Sequence, residues 1–112
     1  MEKEYLEFMT ELYECLFEGE DWTVVRKSKT SDHMTAKHLV RWFTYDFFYP
    51  ELSEVRLANL ERILFGKSVN PSSGDGNRIK NSKEVVEAQL KDTRLYKKLE
   101  HYIQLNQSRW KL

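Results

Sequence analysis

The clearest chemical spacing in this chain is a row of cations near its C-terminal end. Lys91, Arg94, Lys98 and His101 recur at intervals of 3, 4 and 3 residues. On a helix those intervals share one face, with Lys97 beside it. Such a row meets phosphate oxygens without reading base sequence, so it fits nucleic acid or another anionic partner. Arg78, Lys80 and Lys83 carry the basic character toward the middle of the chain. The competing reading is a solvated helix face, where long cationic side chains are common.

A second cationic line, His33, Lys37 and Arg41, runs at 4-residue intervals, with Trp42 and Tyr45 close by. Rings that stack on bases and cations that follow the backbone suit single-stranded nucleic acid. Rings at helical spacing also build cores, and Trp42, Phe43 and Phe47 suit that role equally.

The first segment has the opposite sign. Glu4, Glu7, Glu11, Glu14 and Glu18 recur at helical intervals. They read as a contact surface for a basic protein partner, as a cover over the chain's own basic face, or as a solvated face. Residues 1–21 hold eight acids and one base, whereas residues 22–112 hold seventeen bases and ten acids. The formal net charge of zero hides this split. A field sorted in this way favours gripping another macromolecule.

Catalytic and metal signals are weak. Gly74-Asp75-Gly76-Asn77 lacks the residues of a nucleotide-phosphate loop and the ligand spacing of a calcium loop, so it reads as a connector. Cys15, His33, His38 and His101 are scattered, where zinc sites show paired ligands at short spacing. Neither a metal nor a cofactor is expected, and no enzyme activity. The lone Cys15 excludes an internal disulfide and reads as a small core hydrophobe. It suits a reducing compartment, and the cytoplasm is the expected location. The opening Glu2-Lys3-Glu4 does not read as a secretory leader. No uncharged run approaches the roughly 20 residues of a membrane span.

These side chains need elements to hold them. Residues 2–18 read as a helix with Tyr5, Phe8, Met9, Leu12 and Leu16 on its buried face and Gly19 at its stop. Residues 22–27 (Trp-Thr-Val-Val-Arg-Lys) are β-branched and aromatic and read as a strand or an extended connector. Its partner would be 42–49, against a competing helix from about Thr35 to Phe48 capped by Ser31 or Asp32. Residues 53–65 read as a helix capped by Ser53. Leu52 and Leu57 are placed for a hydrophobic staple, and Gly66 closes the element. Residues 67–80 read as a flexible loop between an aromatic-rich first part and a basic last part. Residues 81–106 read as one helix or two, capped by Asn81 or Ser82 and interrupted at Asp92-Thr93.

A chain of 112 residues is one domain, 1–112. The expected fold is all-α, four or five helices around an aromatic core. The alternative is α+β with a hairpin from 22–27 and 42–49. The function expected first is that of a small non-enzymatic cytoplasmic regulator that occupies a protein partner, as an inhibitor, an immunity-type protein or an adaptor. Trp22, Tyr49 and Trp110 lie outside the confident apolar stripes and are its candidate aromatic anchors. The alternative is a nucleic-acid-binding module using the basic C-terminal helix face, a geometry that implies a homodimer.

Overall fold

The aromatic residues decide the architecture. In the computed structural model, which describes residues 2–68 and 76–109 without the side chains of Trp22, Thr23 and Arg109, six α-helices close around Tyr5, Phe8, Tyr13, Phe43, Phe48 and Phe65. Helix α1 (Glu2–Leu16) buries Tyr5, Phe8, Met9, Leu12, Tyr13 and Leu16. Its glutamates fall on the other side. Gly19 then turns the chain at φ 84°, a left-handed backbone that costs a residue with a Cβ more than it costs glycine.

Residues 22–27 form a helix, α2 (Trp22–Lys27), and not a strand. No strand exists among the described residues. The backbone groups of 22–27 are satisfied locally instead: Val25 N–H donates to Asp21 O at 3.2 Å, and Ser28 N–H to Val24 O at 3.0 Å. Val25 plugs into the core at 1% exposure while Val24 faces solvent. Strand propensity is a weak prior, and here helical closure and burial of one valine override it.

Helix α3 (Ser31–Phe48) starts four residues earlier than Thr35. Thr30 is its cap, in place of Ser31 or Asp32, and accepts from His33 N–H. Residues 42–48 lie within it, so the hairpin does not form. Ala36, Leu39, Val40, Phe43 and Phe48 turn inward. Helix α4 (Glu54–Leu64) begins at the Ser53 cap, whose hydroxyl accepts from Arg56 N–H at 3.1 Å. Leu52 and Leu57 are both buried, as a staple requires. Ile63, expected to help the buried stripe, is 41% exposed. Gly66 follows at φ 71°, and a Cβ there would stand 3.1 Å from the Arg26 guanidinium.

Helix α5 (Gly76–Val85) occupies part of the expected 67–80 loop. Asn81 and Ser82 are therefore inside a helix and cap nothing. Ile79 and Ser82 are its buried residues, and Val86, just past its end, is buried too. A π-helical turn (Val86–Leu90) follows, and Thr93 opens α6 (Arg94–Leu105). The Thr93 hydroxyl donates to Leu90 O at 2.7 Å and accepts from Tyr96 N–H at 3.2 Å, so one residue closes the first element and caps the next. The C-terminal region is thus two helices separated at Asp92-Thr93.

Helix α1 packs on α3, α4 and α6, and α5 packs on α3 and α4. At the centre, the Phe48 ring lies 5.2 Å from Tyr5 and 5.8 Å from Phe8, edge to face in both cases. Tyr13 meets Phe65 at 5.6 Å in the same geometry. Edge-to-face pairs add to the area these rings bury. No helix among the described residues is long and apolar enough to cross a membrane.

Candidate anion-binding cleft

The basic run Arg26-Lys27-Ser28-Lys29 closes α2, and neighbouring cations hold the helix ends around it. Lys37, buried on α3, donates its ammonium to Arg26 O at 3.2 Å and Ser28 O at 3.0 Å. A cation at the C-terminal carbonyls of a helix suits the helix dipole. Arg26 in turn donates through Nη1 to Phe65 O at the end of α4.

One turn beyond Lys37, Arg41 grips Glu61 of α4 in a bidentate pair, Nε and Nη2 each 2.7 Å from a carboxylate oxygen. Its Nη1 donates to Ser82 Oγ on α5 at 3.1 Å. Ser82 Oγ lies 2.9 Å from His38 Nδ1. Ser82 is fully buried and its oxygen already accepts from Arg41. Ser82 Oγ thus bridges Arg41 and His38. Burial pushes the Arg41 pKa down, but the attraction of Glu61 outweighs it and the net shift is upward. Arg41 stays charged.

These groups line one cleft of about 350 Å³ between α2, α3, α4 and α5. Arg26, Lys27 and Lys29 form one wall, Lys37, His38 and Arg41 the floor, and Lys67 and Arg78 the far side. Seven Arg and Lys side chains face one carboxylate, Glu61. Arg41 takes both Glu61 oxygens. The other six cations share the cleft with no further carboxylate among the described lining residues. Burial lowers the Lys37 and Lys67 pKa values, and neighbouring guanidiniums, Arg41 and Arg78 respectively, lower them further. Such a concentration of like charge in a concave, partly desolvated surface focuses a positive field on an incoming anion.

The residues singled out by spacing are distributed differently. Arg94, Lys97, Lys98 and His101 are exposed on α6. Lys91 is not on that helix: it lies in the preceding turn with its ammonium 5.2 Å from the Trp42 ring centroid. Of the expected extension, Arg78 enters the cleft, Lys80 lies 3.7 Å from Glu54, and Lys83 sits 5.0 Å from the Tyr45 ring centroid. The line His33, Lys37, Arg41 also divides. His33 turns to Glu20 at 3.1 Å, Lys37 and Arg41 build the cleft floor, and Trp42 and Tyr45 do not line it.

Glu4, Glu7, Glu14 and Glu18 are exposed, while half-buried Glu11 accepts from the Tyr102 hydroxyl at 2.8 Å. Tyr49 is 42% exposed and stacked on Tyr45 at 4.6 Å. The Trp22 side chain and Trp110 lie outside the described residues. Cys15 is free and half-buried; burial pushes its thiol pKa up, against a smaller opposing pull from Lys98. No group of three His, Cys, Asp or Glu among the described residues is placed to hold a metal ion.

Two contributors went unread in sequence. Arg26 and Lys27 end the segment expected as a strand, Ser28 and Lys29 lie just beyond it, and Lys67 starts the expected loop. Four basic or polar residues directly after a short apolar segment were the available signal. Comparison with known protein families, curated proteins and solved structures finds no match.

The cleft predicts a pH effect. Burial, then Arg41, holds the His38 pKa below its ordinary 6.5. As pH falls below that value the unfolded chain takes up a proton that folded His38 resists, so stability falls. The loss stops once pH passes below the folded pKa. Urea midpoints between neutral and mildly acidic pH are expected to fall more for the native chain than for His38→Gln. Equal falls would mean His38 makes no contribution.

Proposed function

We propose that this chain is a non-enzymatic cytoplasmic regulator that acts by occupying a protein partner, and that an acidic segment of the partner enters the cationic cleft. One observation carries the reading: six cations share a concave site with no carboxylate among the described residues lining it beyond the one held by Arg41. The single free thiol is compatible with a reducing compartment. The exposed glutamates of α1 give the molecule a second, oppositely charged face. Complementary fields of this kind speed encounter and reject wrong partners.

Nucleic acid at the α6 face is the weaker reading. It rests on the exposure of Arg94, Lys97, Lys98 and His101. Lys91 is turned onto Trp42, and exposed Glu100 neighbours Lys97 three residues on.

Fluorescence anisotropy with a labelled polyglutamate peptide tests the first reading. Binding is expected at low salt, weakening as salt rises. The variant Lys29→Glu/Lys67→Glu is expected to lose it with an unchanged circular dichroism spectrum. No binding at low salt, or equal binding by the variant, would remove the cleft from this role.

A further inference from the structure

We infer that the cleft is a subsite for a phosphate monoester; this rests on the anionic-partner reading above and narrows it to a chemical class. The first ground is charge density. Six cations with no carboxylate partner among the described lining residues face a space of about 350 Å³, at the small end of ligand sites. That space suits one compact head group better than a run of side chains. A carboxylate brings one negative charge, whereas a phosphate monoester brings about −1.5 to −2 on three strong acceptor oxygens.

The second ground is donor type. Arg26 and Arg78 offer planar guanidiniums, which pair with phosphate oxygens two at a time, and Lys29 and Lys67 offer point charges beside them. Arg26 spends Nη1 on Phe65 O, yet its Nε is buried with no hydrogen-bond partner among the described residues. A guanidinium so placed gains from an acceptor nearby.

The third ground is the fixed floor. The chain Glu61–Arg41–Ser82–His38 ties three helices together with hydrogen bonds of 2.7 to 3.1 Å, which fixes α3 and α5, the helices that carry Lys37 and Arg78, relative to each other. Glu61, the one group there that repels an anion, is 2% exposed and neutralised by Arg41. Burial first, and then the neighbouring Arg41 and Arg78 guanidiniums, lower the Lys37 and Lys67 pKa values, and a bound anion opposes the second of these effects. A nucleic-acid strand fits less well. Phe65, at 4% exposure, and half-buried His38, tied to Ser82, are the only rings lining the cleft among the described residues, and neither is an open stacking platform.

The test is an amide NMR titration of the full chain at low ionic strength with phenyl phosphate and, separately, benzoate. Shifts are expected to concentrate at residues 26–29, 37–41, 61–67 and 78–82. Phenyl phosphate is expected to bind about tenfold tighter than benzoate. Lys67→Gln/Arg78→Gln is expected to erase that preference. Lys67 is exposed and Arg78 half-buried, so the fold survives the change. Arg94→Gln/Lys98→Gln on α6 is expected to keep the preference. A phosphoserine peptide compared with adenosine monophosphate then separates a protein-borne from a small-molecule phosphate. Equal affinity for phenyl phosphate and benzoate overturns the phosphate subsite and leaves the acidic-partner reading standing. No shift with either anion overturns both, as do shifts confined to α6.

Discussion

Glu61→Ala is expected to lower the unfolding free energy by about 3–5 kcal/mol, the usual cost of stripping one partner from a buried ion pair. Glu61 is 2% exposed and Arg41 8%, so neither charge is well hydrated in the folded chain. Without Glu61, the Arg41 guanidinium stays charged and is left unpaired among Lys37, Lys67 and Arg78, because no other carboxylate among the described residues lines the site. The penalty has two parts, an unpaired buried cation and added repulsion among its neighbours. Total domain stability is typically about 5–15 kcal/mol, so the variant is expected to sit near its unfolding midpoint at moderate temperature. Urea denaturation gives the measurement. The double variant Arg41→Met/Glu61→Leu fills similar volume with no charge and is expected to recover most of the loss. A cost below about 1 kcal/mol for Glu61→Ala, the range of exposed pairs, would show that the ion pair is hydrated and does not organise the cleft.

That pair also shows where sequence reading stops. The apolar stripes of α1 and α4 were legible because each face repeats locally: Tyr5, Phe8 and Leu12 in one case, Leu57 and Leu60 in the other. The cap Ser53, the stops at Gly19 and Gly66 and the interruption at Asp92-Thr93 were legible for the same reason, since each acts within a turn of itself. The cleft is not local. Arg26, Arg41, Glu61 and Ser82 come from four different helices. Only their packing shows that one glutamate among the chain's 18 acids meets an arginine 20 positions away. The cationic row on α6 looked stronger because its spacing is visible along one segment. Regular spacing predicts a shared face, not a concave one, and a flat solvated face focuses less field than a cleft. Residues 22–27 misled for a related reason: valine and tryptophan favour strands only where a sheet receives them, and no such sheet is present among the described residues.

Phe48→Ala carries the other large expected effect, about 3–5 kcal/mol, as for aromatic truncations in a packed core. Phe48 is 1% exposed and its ring packs edge to face on both Tyr5 and Phe8, so its loss opens a cavity between α1 and α3. Tyr5 also donates its hydroxyl to Leu57 O at 3.3 Å, which links the same ring to α4. The cavity therefore lies where three helices meet, and a site held from three sides collapses poorly. Phe47, its sequence neighbour, is half-buried and meets Phe8 at 5.0 Å as a tilted pair. Phe47→Ala is expected to cost less than half as much, because much of that ring is already hydrated and water fills what truncation leaves. The sequence pattern favoured Phe43 and Phe47 as the inward residues. Phe43 is buried as expected, and the packing of α3 against α1 brings Phe48 rather than Phe47 to the centre. Urea midpoints of the two single variants, measured side by side, decide the order. A larger loss for Phe47→Ala than for Phe48→Ala would mean that α3 is rotated about its axis relative to the packing described, and the cleft floor built on Lys37 and Arg41 would rotate with it.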